Sequence, residues 1–373
     1  MSREAGSPQD IAVLGAGNGG VAIAGALAAQ GHRVRLWNRN SERLRPFLDG
    51  FDVVLRGAVS ARGILTMVTS SIEEAIRGAS VVMVATTSDA HERLGAEIAT
   101  YAEAGQVYLL NPGRTGGAMA MWASMTPKLR GRRIFVAEAQ SLMYACRTSG
   151  RKVNVIGAKT FVPVAAYPTR DTHHVVQTIR PLFECFQAAQ SVLHTGLENI
   201  GAMLHPAIVL FNAATIERGH PFYLYQDMTP RIAAFLSRID DERLALGQAF
   251  GLRLHSLYDW IKLAYPATEG ETLCERLSSN PAYHEISAPT QLRSRLLTED
   301  VPTGLVPICS LGEAVGVAMP LTRSLVDLAS ALLDVDFWAT GRTLDKLGLA
   351  GLSATGILEH FNRDSTDGTT APR

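Results

Sequence analysis

Ile11-Ala-Val-Leu-Gly15-Ala-Gly17-Asn18-Gly19-Gly20 is a short apolar run that breaks into a glycine-rich turn and continues into an Ala-rich stretch. The apolar run reads as a buried strand, and the Ala-rich stretch over Gly20–Gln30 as a helix. Each glycine has a task in such a turn. Gly15 allows the tight strand-to-helix reversal, Gly17 lets a pyrophosphate approach the backbone, and Gly20 lets helix and strand pack closely. Asn18 and Gly19 lie between them, where the helix start turns free N–H groups and a positive dipole end toward an anion. Working outward, further apolar runs at Val34–Trp37, Val81–Ala85, Val107–Leu110 and Ile134–Ala137 alternate with helical patterns. These fall at Ser41–Leu48, Ser71–Arg77, Ala90–Ala102 and Gly117–Leu129. Unalternating strands separated by helices imply a doubly wound parallel sheet covered on both faces, an α/β Rossmann domain.

Lys152–Ile156 and Phe161–Ala166, joined near Gly157, read as a hairpin added to that sheet. From about residue 196 helical periodicity takes over; Thr229-Pro230 opens a helix and Gly251 closes it. The chain therefore divides near Ser191–Gly196 into a dinucleotide-binding domain, residues 1–195, and an all-α domain, residues 196–373. Residues 1–9 and 364–373 read as polar, mobile tails. The chain has 373 residues, 47% hydrophobic and 19% charged, with Lys+Arg and Asp+Glu both 35. A formal charge of zero gives no general field for nucleic acid or an anionic membrane. The four cysteines are scattered without a Cys-x-x-Cys pair, so neither a disulfide framework nor a metal site is expected. No signal-peptide pattern or apolar membrane span is found, which points to a cytoplasmic protein.

Asn38, at the end of the second strand, stands where an acidic residue would bind the adenosine ribose 2′-hydroxyl. A neutral amide does not repel a 2′-phosphate, and Arg39 offers a cation to bind one. The pair favours NADP(H); NAD(H) remains the alternative, with Arg39 stacked on adenine or solvated. Thr86 follows another strand, as does the loop Asn111-Pro-Gly113-Arg-Thr-Gly-Gly. Both belong to the strand ends where ligands of open α/β sheets bind, and the loop could bring backbone N–H groups to ribose or nicotinamide.

In the second half, Glu198-Asn-Ile-Gly-Ala-Met-Leu-His205-Pro206 is an apolar helix carrying an isolated imidazole, with a proline that would kink it. His205 is either a satisfied core histidine or a group facing a cleft. Gln291-Leu-Arg-Ser-Arg295-Leu-Leu-Thr-Glu-Asp300-Val-Pro-Thr-Gly304-Leu-Val-Pro crowds charges before a Pro/Gly turn. Asp300 beside a histidine would orient it and favour its charged form. Arg295 suits bidentate recognition of a carboxylate. A solvated surface pair or a helix cap is the plainer reading of both.

The Gly15–Gly20 fingerprint, the Asn111–Gly117 loop, the Asn199…His205-Pro206 helix and the Arg295-x4-Asp300-x-x-Thr-Gly-Leu-Val-Pro stretch together resemble the opine dehydrogenases. This is the octopine/nopaline dehydrogenase family, and the likeness is strongest to its bacterial N-(1-carboxyethyl)norvaline dehydrogenase branch. Gly341-Arg-Thr-Leu-Asp-Lys-Leu-Gly-Leu is similar to that branch too. The likeness runs from about residue 10 to 362. It implies a Rossmann domain followed by an all-helical domain with the active site between them. By the same resemblance His205 matches the catalytic histidine, Asp300 its partner, and Arg295 the arginine near the substrate carboxylate. The branch can carry Asp where this chain has Asn38.

The implied reaction condenses an L-amino acid with a pyruvate-like 2-oxo acid and reduces the imine with hydride from NAD(P)H. The partners are then small molecules, and a homodimer is left open. Phe222, Tyr223, Tyr225, Tyr258 and Trp260 suit an apolar side chain or belong to the helical core. One rival is a 2-oxo acid reductase of the ketopantoate reductase type, which relies on a lysine of the helical domain. Only Lys262 and Lys346 lie there, neither on the His205 helix. The other rival is a protein that senses NADP(H) without turnover.

Overall fold

The computed structural model describes residues 7–362. The described residues form twelve strands: β1 (Asp10–Leu14), β2 (Arg33–Trp37), β3 (Asp52–Gly57), β4 (Ala61–Ile64), β5 (Met67–Thr69), β6 (Val81–Val84), β7 (Val107–Leu110), β8 (Phe135–Ala139), β9 (Tyr144–Ser149), β10 (Lys152–Ala158), β11 (Val162–Tyr167) and β12 (Phe186–Ala188). Eight of them make one sheet in the order β12-β11-β8-β7-β6-β1-β2-β5. Its strands from β5 to β8 run parallel, while β11 and β12 run the other way. The order reverses between β1 and β6, which makes the crevice beyond their C-terminal ends the natural ligand position. Strands β6 and β7 are buried at every residue, as expected of strands covered on both faces.

A second sheet, β4-β3-β10-β9, lies against the helix Asn18–Ala29. The expected hairpin is therefore corrected: β10 belongs to this small sheet and β11 to the large one. Gly157 is no turn; it continues β10 past a bulge that follows Val155. The true hairpin partner of β10 is β9, antiparallel to it across Gly150-Arg151. Strands β3, β4, β5, β9 and β12 are additional to the sequence reading. None of these strands holds more than three successive apolar residues, and none is buried along its whole length. Of the expected tails, residues 1–6 and 363–373 lie outside the described residues. Gln9 is pinned rather than loose: its carbonyl accepts from Arg33 N–H at 2.9 Å.

The second half is helical, with the long helix Pro230–Ala249 capped by the Thr229 side chain and followed by Gly251 at φ 68°. Its apolar faces close over one face of the large sheet, so Val82, Tyr108 and Val136 share one continuous core with Leu204, Leu236 and Leu305. The opposite face of the sheet, the helix Asn18–Ala29 and the small sheet make a second core. The helix Val192–Leu197 runs across residues 195 and 196, the division drawn from sequence. Among the described residues no helix is long and apolar enough to cross a membrane.

Candidate active site

All the cofactor candidates gather at the C-terminal edge of the large sheet. Gly15, at φ +119°, accomplishes the turn after β1, and a Cβ there would lie 2.6 Å from the Ala85 carbonyl oxygen. A Cβ at Gly20 would stand 1.7 Å from the Gly15 carbonyl oxygen, so helix and turn are in contact through this glycine. Gly17 faces open space, with nothing within 4 Å of its would-be Cβ. No side chain caps the helix that begins at Asn18, which leaves its first N–H groups for a ligand. The Thr86 hydroxyl and the Asn111 Oδ1 are buried without a hydrogen-bond partner among the described residues. An open glycine, an uncapped helix start and a waiting hydroxyl fit the pyrophosphate and ribose of a dinucleotide.

Asn38, Asn18 and Gly19 also have contacts within the protein. Asn38 Oδ1 accepts from Ala16 N–H at 3.0 Å and its Nδ2 donates to the Asn40 carbonyl at 2.9 Å, so this amide braces the fingerprint turn. Arg39 is exposed beside it. Asn18 Oδ1 accepts from the Thr148 N–H on β9, and Gly19 packs under Leu142. The loop 111–117 differs from expectation. Its N–H groups at Asn111, Gly113 and Thr115 donate to the carbonyls of Val84, Ala139 and Thr303, leaving these three unavailable to a nucleotide. What the loop presents instead is Arg114, held at φ 62° and almost wholly buried.

Arg114 reaches across to the helical lobe. Its Nη1 lies 2.9 Å from Asp300 Oδ1 and its Nε 3.4 Å from Glu299 Oε1. Asp300 Oδ2 in turn accepts from His205 Nδ1 at 2.7 Å, and His205 Nε2 lies 2.9 Å from the Tyr225 hydroxyl. Asp300 is fully buried, and the His205 side chain keeps 17% exposure. Burial alone would raise the Asp300 carboxyl; the Arg114 guanidinium and the His205 ring outweigh it and hold the pKa below the ordinary carboxylate value. Asp300 is thus an anion that fixes the ring and leaves Nε2 as the nitrogen able to exchange a proton.

The local sequence explains how these elements meet. The helix Ile200–Phe211 starts at Asn199, whose side chain accepts from Ala202 N–H. Val301–Leu305 is not the expected Pro/Gly turn but a π-helical turn that runs directly into the helix Val306–Val315. Pro302 and Pro307 lack N–H groups, which loosens the regular ladder there. Gly304 lets the π turn touch the His205 helix, since a Cβ would come within 2.4 Å of Ala202 Cβ. Arg295 opens the short helix Arg295–Thr298; its side chain is 62% exposed and lies 3.5 Å from Glu299 Oε2. Glu299 also meets Arg114, so Arg295 stands at the edge of the same cluster.

A buried seam joins the lobes beside this cluster. Ser88 donates to Glu299 through both N–H and hydroxyl at 3.2 Å, and Arg342 donates to the carbonyls of Thr115 and Ser88 at 3.0 Å. Sequence reasoning missed Arg114, Glu299, Tyr225 as a ring partner, and Arg342. An arginine inside an otherwise neutral Gly-rich loop was the one available signal; Tyr225 had none, since an aromatic in a helical region reads as core.

Two family models match the chain. The alpha-helical domain of NAD/NADP octopine/nopaline dehydrogenases matches residues 188–333, and the coenzyme F420-dependent NADP oxidoreductases match residues 10–109. An opine dehydrogenase of Arthrobacter sp. (strain 1C) is 36% identical over 349 residues, covering 93% of this chain and 97% of its own length. Octopine dehydrogenase solved with NADH and L-arginine has the same fold, with a TM-score of 0.74 at 23% identity, over 93% of this chain and 97% of that one. Yersinopine dehydrogenase with NADP+ bound aligns with a TM-score of 0.69 at 16% identity, over 95% of this chain and 98% of that one. With the Rossmann crevice, the helical lobe and this degree of identity along nearly the whole length, the chain belongs to the opine dehydrogenase family.

Proposed function

We propose that this NAD(P)-dependent oxidoreductase condenses an L-amino acid with a pyruvate-like 2-oxo acid and reduces the resulting imine at the cluster around His205. The observation that carries the reading is the 2.7 Å contact between Asp300 and His205 Nδ1. It commits one ring nitrogen and leaves the other, held only by the Tyr225 hydroxyl, for proton exchange at the seam between a dinucleotide crevice and the helical lobe. A bound reduced nicotinamide supplies the hydride. His205 supplies the proton: it leaves Nε2 for the substrate nitrogen as electrons collect there, a step in which a positioned acid typically contributes ~10²–10⁴-fold. Until then the Tyr225 hydroxyl accepts a hydrogen bond from Nε2. Asp300 holds the ring and offsets its charge, and Arg114 keeps Asp300 ionised. Arg295, exposed at the edge of the cluster, takes the 2-oxo acid carboxylate and orients the carbon that receives hydride. NADP(H) is the favoured cofactor, because Asn38 adds no negative charge beside the ribose and Arg39 stands free at the same strand end.

The test is His205→Ala, assayed by NADPH oxidation with amino acid and 2-oxo acid together and separately. Turnover should fall at least ~100-fold while dinucleotide affinity holds. An unchanged rate removes His205 from the chemistry. Consumption of NADPH with the 2-oxo acid alone would favour a simple reductase instead.

A further inference from the structure

The condensation joins two molecules that each carry a carboxylate next to the reacting carbon, so its site must satisfy two anions. Arg114 is committed to Asp300 and Glu299, and Arg295 has been given one of the two. Lys159 is a cation that this mechanism does not yet use. It lies in the crossing between β10 and β11, where the chain passes from the small sheet to the large one. Its own N–H donates to Met143, and the next residue, Thr160, donates to Ala264 and Leu263 of the helical lobe. Lys159 therefore stands at the junction of the lobes.

Its ammonium donates to the Leu142 carbonyl at 2.6 Å, and the Leu142 side chain is the one covering Gly19 of the fingerprint. On the other side the ammonium faces the rings of Tyr265 and Trp260, at 5.4 and 5.9 Å from their centres. Tyr265 packs on Tyr283, and Tyr283 stacks on Tyr225, the partner of His205. Among the described residues no carboxylate pairs with Lys159. A largely buried ammonium with one carbonyl and two aromatic faces retains N–H capacity that no protein anion uses, and such groups are costly unless paired. Burial brings its pKa down to about 8, which leaves it charged at neutral pH.

We infer that Lys159 binds the α-carboxylate of the amino-acid substrate, opposite the 2-oxo acid carboxylate at Arg295. The inference rests on the reaction proposed above. It makes the site a two-cation clamp whose arms come from different lobes, Lys159 from the nucleotide half and Arg295 from the helical half.

The probe is iminodiacetate, a secondary amine with two carboxylates, compared with N-methylglycine, which has one. Both are titrated calorimetrically into the full chain saturated with NADP+. Wild type should bind iminodiacetate about 10- to 100-fold more tightly than N-methylglycine, the worth of one charge-assisted contact. Lys159→Met should erase that advantage, Lys159→Arg should restore most of it, and dinucleotide affinity should stay unchanged in both. Arg147→Gln, which alters an exposed cation on β9, should leave it intact. Equal discrimination by wild type and Lys159→Met overturns the assignment, as does a wild type that does not prefer iminodiacetate or a loss confined to Arg147→Gln. NADPH oxidation that needs both substrates in wild type keeps the reaction itself separate from this outcome.

Discussion

Gly304→Ala puts the geometry of the site under direct strain. A Cβ at position 304 would lie 2.4 Å from Ala202 Cβ and 3.0 Å from Asn199 Nδ2. The first distance is about 1 Å short of ordinary carbon–carbon contact. The π turn must therefore retreat from the His205 helix by about that much, and Asp300 begins the same segment. Displacing Asp300 by about 1 Å stretches its 2.7 Å bond to His205 beyond hydrogen-bonding range. Misplacement of that size in a catalytic pair costs about 10²-fold in rate, and overpacking a buried contact costs about 1–3 kcal/mol of stability. The expected outcome is a kcat about 100-fold lower with dinucleotide affinity intact, since Gly304 lies far in sequence from the fingerprint and packs on the helical lobe. Stopped-flow turnover, dinucleotide titration and urea unfolding read the three quantities. Adding Ala202→Gly removes the opposing methyl and should recover most of the rate, less up to about 1 kcal/mol of helix stability for a glycine in the first turn. Full activity in the single variant, or no recovery in the double one, would refute the reasoning.

Asn38→Asp should shift preference from NADPH toward NADH. Aspartate gives up the bond to the Asn40 carbonyl but can still accept from Ala16 N–H, which holds the turn while a negative charge is placed beside the ribose 2′ position; equal ratios of kcat/KM for the two cofactors before and after would refute it. Glu198 gives an acid-stability prediction. Burial raises its carboxyl, but His194 at 3.7 Å and His255 at 2.7 Å reverse this and hold its pKa to about 2, against an ordinary 4.5. A depressed carboxyl stabilises the fold above pH 4.5, and that contribution, up to about 3 kcal/mol, is lost as pH falls toward 2. Glu198→Gln should lower the urea midpoint at pH 6 and flatten its decline between pH 4.5 and 2; an unchanged acid limb counts against the assignment. His255, raised by the same bond, gives its share fully below pH 6.5 and loses it as pH rises past its folded pKa.

The large sheet was legible because β6 and β7 are buried on both faces and announce themselves as apolar runs, and because Gly15, Gly17 and Gly20 have steric tasks no other residue performs. The small sheet was not. Strand β3 alternates buried Val53 and Leu55 with more exposed neighbours, and β9 alternates buried Tyr144 and Cys146 with partly buried Ala145 and exposed Arg147, patterns that short loops also show. Phe161–Ala166 was recognisable as a strand, but its partner was not, since pairing across sheets leaves no local mark. At the site, His205, Asp300 and Arg295 could be picked out as charges in apolar or Pro/Gly surroundings. Their union through Arg114 could not, because it depends on a loop and a π turn from distant parts of the chain meeting in space.

Arg342 and Ser88 bear on how this molecule comes into being. Each satisfies buried polar atoms belonging to the other half, and the apolar interior is likewise common property, with Tyr108 and Leu236 in a single cluster. Severed at residue 195, either fragment would leave Arg342, Glu299 or Ser88 without its counterpart and an oily face bare to water. What looks like a pair of modules in tandem is thermodynamically one object, which matures only after synthesis has passed Arg342.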